Sequence, residues 1–308
     1  MGNASWVLTP QKFGRPLKFG PFKDSLSPYH DTTYSDLHTK SAMCGNCHDV
    51  SHPFNSMPIE RTYSEWKDSI YAAKGIDCQD CHMTPGSGVT KNPGKATYFS
   101  KTRDHIFTHF FVGGNVMVPE KLGSPKHAYL AEEMLRGAAT IEIRELTPRA
   151  NVRAGDTVEA VVRVTNVGAG HKLPTGFPEG REMWIDFEVK DGSGKEIYRL
   201  GQVKDGRTEP GTKSFKVTMA DDAGNIVDLE LWNASRIISD TRLMATAFTD
   251  TAYRFRVPGD IAEGPLTVSA SLNYWSFPQA LVDHLLGEGA LSVPITIMAS
   301  TESEIGTR

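Results

Sequence analysis

The chain has 308 residues, 39% hydrophobic and 23% charged, with a formal net charge of −4. That composition belongs to a globular protein with room for two cores; its negative balance argues against a nucleic-acid partner, and no apolar run of about eighteen residues offers a transmembrane helix. All four cysteines fall in two C-x-x-C pairs, which leaves none for a disulfide.

Residues 1 to about 60 are rich in Pro, Gly, Ser, Asp and His and hold no period of 3.6 or 2, which predicts loops and short turns. Within them lies Cys44-Gly45-Asn46-Cys47-His48, repeated later as Cys78-Gln79-Asp80-Cys81-His82. C-x-x-C-H is the attachment signal for c-type haem: Cys44, Cys47, Cys78 and Cys81 add to the porphyrin vinyl groups, and His48 and His82 reach the irons as proximal ligands. The competing reading is a tetrahedral Cys₄ zinc site, but zinc has no need of a histidine after each pair.

Between the motifs, Tyr63, Trp66, Ile70 and Ala73 recur at steps of three and four with Gly75 as a stop, which predicts one amphipathic helix from Thr62 to Ala73. After His82, Thr84-Pro85-Gly86-Ser87-Gly88 is a loop signal. A helix is expected from about Ser124, with Pro125 near its start and Gly137 near its end. Beyond about Thr140 the period becomes two: Val158, Ala160, Val162 and Val164 alternate with more polar residues, as do Ile185, Phe187 and Val189. Asp191-Gly192-Ser193-Gly194 reads as a hairpin turn into Ile197–Leu200, followed by strands near 253–257, 266–274 and 293–298 and a helical run near 280–286. The expected fold is α+β, an irregular, partly helical haem-binding domain over 1–139 followed by an antiparallel immunoglobulin-like β-sandwich over 140–308.

An electron-carrying haem needs a sixth ligand, and histidines are in surplus. His105 and His109 stand beside Phe107, Phe110 and Phe111 and just before Gly113-Gly114; His30 and His38 precede the first motif by under twenty residues. His171 is the sole metal-competent side chain in Gly168-Ala169-Gly170-His171-Lys172-Leu173-Pro174-Thr175-Gly176, a glycine-rich break after an alternating strand. His52, His127 and His284 read as packing or surface residues, and Met43, Met57, Met83 and Met117 form the competing ligand class.

The chain resembles the multihaem c-type cytochromes, a group that includes tetrahaem and octahaem proteins of bacterial nitrogen cycling and extracellular metal respiration. The resemblance rests on residues 41–48, on 63–67 running through Gly75 to Met83, and on His109-Phe110 with Gly113-Gly114; the Gly170-His171…Pro174-Thr175-Gly176 stretch and the strands after it are similar to a β-sandwich module appended to some members. It implies haem c at both motifs, distal histidines from elsewhere, redox proteins as partners, and electron transfer by bis-histidine, low-spin haems in a periplasmic or extracellular chain. The alternative is a redox enzyme or subunit with an open haem site acting on nitrogen or sulfur oxides. Haem attachment takes place outside the cytoplasm, while the first ten residues show no basic region followed by an apolar core, so the expectation is a fragment whose signal lies upstream.

Overall fold

The computed structural model describes residues 2–6, 14–177, 180–227 and 230–308. Antiparallel strands dominate the second half, and short helices and short paired strands joined by irregular backbone fill the first, an α+β chain.

The first motif lies in helix α1 (Ala42–Gly45) and its following turn, and the second is helix α4 (Cys78–His82). The single helix expected over 62–73 is instead two, α2 (Thr62–Lys67) and α3 (Ile70–Ala73). Ser69 causes the break: its extended backbone leaves the helix and its hydroxyl accepts from the Tyr71 N–H, capping α3. Gly75, with φ of 71°, then turns the chain into the second motif. Helix α5 (Met117–Lys121) precedes α6 (Pro125–Arg136), which starts on Pro125 and stops at Gly137 as its sequence dictates.

Strands β1 (Ala139–Thr147), β2 (Thr157–Asn166) and β7 (Phe248–Arg256) form one antiparallel sheet in the order β7-β2-β1. A second sheet runs β4-β3-β8-β9, built from β3 (Glu182–Lys190), β4 (Glu196–Leu200), β8 (Leu266–Trp275) and β9 (Thr296–Ile305). The two share one core, in which Val158, Ala160, Val162 and Val164 of β2 meet Ile185, Phe187 and Val189 of β3. Phe187 and Tyr253 stack with ring centres 4.2 Å apart; truncating such a core aromatic costs about 3–5 kcal/mol. Between β4 and β7, β5 (Val217–Ala220) and β6 (Arg236–Asp240) add a small sheet.

The last strand departs from expectation. The reading near 293–298 stops where Thr301, Glu302, Ser303 and Glu304 turn polar, yet these residues pair with Ala270, Ser269, Val268 and Thr267 of β8. Polar residues there face water on one side while Ile305 closes the core.

Apolar packing joins the halves. Leu135 of α6 joins the sandwich core; Met117 of α5 packs with Trp184, Trp275 and Val282 of helix α7 (Gln279–Leu286); and Met57 packs with Val217, Met219 and Ala234. No helix among the described residues is long and apolar enough to cross a membrane.

Candidate haem sites

Ser41 fastens the two motifs together. Its N–H and hydroxyl both donate to Asp77 Oδ1, at 2.9 and 2.6 Å, and its hydroxyl oxygen accepts from the Cys78 N–H at 2.9 Å. Asp80 accepts from the Asp77 N–H at 2.8 Å, completing the start of α4, and Gln79 donates to the Lys40 carbonyl at 3.1 Å. The Cys44 and Cys78 thiols consequently lie against each other. A hydrogen bond from Cys44 draws the Cys78 thiol down to about 7, with burial opposing and the Ser41 hydroxyl assisting, while the same contact and burial raise Cys44. Cys47 and Cys81 are exposed. Among the described residues no group of three or more His, Cys, Asp or Glu side chains is placed to hold a metal ion.

The two motif histidines differ in what holds them. His48 donates from Nδ1 to Glu60 Oε1 at 2.8 Å, and that carboxylate raises its pKa. His82 donates from Nδ1 to the Val112 carbonyl and accepts the Val112 N–H on its own carbonyl at 3.0 Å. The preceding Phe111 sits in the left-handed region at φ of 49°, a strain of about 1–3 kcal/mol that this double tie helps to hold. A Cβ on Gly114 would stand 2.9 Å from the Tyr274 hydroxyl, while one on Gly113 would meet nothing within 4 Å.

His171 is carried to His82. Their ring centres are 6.3 Å apart with planes 19° from parallel. His171 donates from Nδ1 to the Lys172 carbonyl at 2.8 Å, so both rings keep Nε2 free. Burial lowers the pKa of His82 and brings that of His171 to about 4, leaving both imidazoles neutral at pH 7.

The glycines of the His171 loop permit close packing. A Cβ on Gly168 would meet the Gly137 carbonyl oxygen at 2.2 Å, and one on Gly170 would meet the Tyr71 ring at 3.1 Å. Asn166 spans the loop, donating to the His171 carbonyl at 3.0 Å and accepting from Ala169 N–H at 3.0 Å. From below, Glu65 of α2 accepts from Lys172 N–H at 3.3 Å and Thr175 hydroxyl at 3.0 Å, and pairs with Arg242 at 2.9 Å; the two side chains are 7% and 6% exposed. Arg181 donates to the Thr175 carbonyl at 2.8 Å, and its positive charge opposes protonation of both His48 and His171.

Hydrogen bonds sort the remaining histidines, because an imidazole that binds metal through Nε2 keeps its proton on Nδ1. His30 meets this, with Nδ1 3.1 Å from the Asp31 carbonyl. His105 does not: its Nδ1 accepts from the Asn92 N–H at 3.1 Å, which puts the proton on Nε2. His38 has a buried Nδ1 with no partner among the described residues, and His109 is exposed beside Phe111. His52 spends both nitrogens on structure, Nε2 on the Trp232 carbonyl at 3.1 Å and Nδ1 on the N–H groups of Phe54 and Asn55.

The fit of a haem rests on the His82–His171 pair. Imidazole nitrogens bind first-row metals at about 2.0–2.1 Å and lie roughly 1.2 Å from their ring centres, so two on opposite sides of one metal place their ring centres about 6.4 Å apart. The 6.3 Å between ring centres matches that spacing, and the helical motif carries Cys78, Cys81 and His82 at steps of three and one residue, on one face, so these residues would be the ones to hold a haem there. Ser41, Glu60, Glu65 and the Val112 carbonyl escape a sequence reading because each acts on a group outside its own motif.

No protein-family description matches the sequence, and no curated protein matches it. Among solved structures, a penta-heme cytochrome c552 from Thermochromatium tepidum matches at TM-score 0.62 and 21% identity, over 91% of this chain and 60% of that one. This chain thus spans about three-fifths of that neighbour's length. Spo0M, a sporulation control protein from Bacillus subtilis, matches at TM-score 0.25 and 15% identity, over 56% of this chain and 50% of that one, too distant to carry an argument. The CARDB domain of the PF1109 protein from Pyrococcus furiosus, at TM-score 0.24 and 9% identity over 56% of this chain and 86% of that one, is no nearer. Over 91% of its length, this chain has a multihaem-cytochrome-like fold.

Proposed function

We propose that the chain is an electron-transfer unit of a multihaem c-type cytochrome. One haem is bound through Cys44 and Cys47 with His48 as ligand; a second is bound through Cys78 and Cys81 with His82 and His171 as its axial pair. The observation that carries this reading is the His82–His171 geometry: two neutral imidazoles at bis-histidine spacing, each with Nδ1 committed to a carbonyl.

When bound, haem supplies a one-electron iron couple. The chain's task is to hold two such groups close and still. Contact between Cys44 and Cys78 supports close approach of the two porphyrin edges, because each sulfur is a point of attachment. Ser41 fixes that contact, and Arg181 supplies positive charge near His48 and His171 to meet propionate carboxylates. For the far side of the His48 haem, His30 is favoured by its free Nε2, with His38 and His109 next; His105 is left out of the set.

The division proposed is a haem-binding part over 1–139 and a β part over 140–308, close to where α6 gives way to β1, with the two facing sheets read as an immunoglobulin-like sandwich. Covalent haem implies maturation in the periplasm or beyond, and redox proteins as partners. The test is to express the chain behind an export signal in a host with haem-attachment machinery. Two haem masses surviving denaturation and a low-spin spectrum are expected; stoichiometric zinc, or no covalent haem, overturns the reading. Binding of cyanide or carbon monoxide at one haem would favour the redox-enzyme alternative.

A further inference from the structure

We infer that Glu60 sets the potential of the His48 haem and makes it the lower of the two, so that the first electron added to the oxidised protein rests mainly at the His82 haem. This rests on the haem assignment proposed above.

The two proximal histidines come from the same five-residue motif, yet their Nδ1 protons go to chemically different acceptors. His48 donates to a carboxylate at 2.8 Å. His82 donates to the carbonyl of Val112, and its facing ring His171 donates to the carbonyl of Lys172 at 2.8 Å. An ionised acceptor pulls harder on an N–H than a neutral one and moves the imidazole toward imidazolate. A more basic imidazole donates more electron density to iron and stabilises the ferric state over the ferrous, which lowers the potential.

Glu60 is built into that place. It ends a short strand, Pro58–Glu60, whose partner Val50–Ser51 follows His48 by two residues, with Val50 opposite Glu60 in register. The His48 carbonyl accepts the Tyr63 N–H at 2.9 Å, so the backbone is tied on both sides of the pair. The carboxylate is 18% exposed, and the Thr62 hydroxyl donates to the same oxygen at 3.3 Å. Of the nearby cations, Arg61 pairs with Asp49 at 3.3 Å, and Arg181, which donates to the Thr175 carbonyl, carries positive charge that acts on His48. Glu60 acts through His48 and is a positioning residue.

The experiment uses the full chain matured with both haems and titrated potentiometrically, followed by optical and electron paramagnetic resonance spectra. His171→Ala marks the spectrum of the His82 haem. Glu60→Gln is expected to raise one midpoint only, the lower and unmarked one, and Glu60→Asp to return it part of the way. The inference is overturned if Glu60→Gln leaves both midpoints in place, or if the midpoint that moves belongs to the marked haem. If Glu60→Gln does not accumulate with two haems, the unsubstituted protein decides: on partial reduction the marked haem must lose its ferric signal first, and the reverse order overturns the inference. Haem count by denaturing mass spectrometry separates these outcomes from failure of the haem assignment, which would appear as fewer than two haem masses in the unsubstituted protein.

Discussion

His48 and His82 close the same motif, and the chain treats them in opposite ways. His48 ends a turn on the outside of the molecule, its side chain 61% exposed, with a carboxylate brought from twelve residues downstream. His82 ends a helix under a loop, tied to a backbone carbonyl thirty residues away and facing a ring from the β half. The C-x-x-C-H pattern is the same in both places. Everything that distinguishes one site from the other comes from chain that the motif does not contain.

His171→Ala is the largest blow to this contrast. On the proposed ligation it removes one axial ligand from one haem, so about half of the low-spin signal should convert to high-spin while the His48 haem keeps its spectrum. Electron paramagnetic resonance of the oxidised protein checks this; an unchanged spectrum removes His171 from the ligand set.

Glu65→Ala attacks the same side from beneath. It takes from Arg242 one of two carboxylate partners, Asp240 remaining at 2.8 Å, at a cost of about 1–3 kcal/mol. It also frees Lys172 and Thr175, so urea denaturation should report the loss of stability and the His82 haem should show partial high-spin character. Stability lost with no change of spin would mean that Glu65 holds the two halves together without seating the loop.

Ser41→Ala should be smaller and even-handed. It deletes the hydroxyl's donation to Asp77 and strands the Cys78 N–H, a loss of about 1–3 kcal/mol. The backbone N–H of Ser41 remains. Because Ser41 sits between the motifs, both midpoints should respond, in contrast to Glu60→Gln.

The course of α6 between Pro125 and Gly137 and the alternation of β2 and β3 were legible in sequence because each is a local pattern. The glycine-rich loop was legible as an interruption of the strand pattern. Its seat was not, since Glu65 and Arg242 are 177 positions apart and either alone is an ordinary charged residue. The same holds for Val112: an acceptor carbonyl carries no signature in the side chain. Where sequence misjudged an element, local chemistry explains it, as when Ser69 divides the expected helix by capping its second half.

His105→Ala should do least, and the reason bears on how histidines near haem motifs are chosen. By position His105 is attractive: it lies among aromatic residues, edge-on to Phe107 with ring centres 4.6 Å apart, in the segment that leads to Val112. Its Nδ1, however, accepts the Asn92 N–H at 3.1 Å, and Asn92 in turn donates from its side chain to the Ile106 carbonyl at 2.8 Å. A ring so held carries its proton on Nε2, the nitrogen that would have to bind iron. Ligation would need that proton to move to Nδ1 and the Asn92 N–H to lose its acceptor, about 1–3 kcal/mol against the bond. His105→Ala is therefore expected to leave the spin state and midpoints of both haems unchanged and to lower stability by about 1 kcal/mol in urea denaturation. A high-spin signal from this variant would show that the Asn92 contact gives way when haem is attached, and would return His105 to the ligand set of the His48 haem.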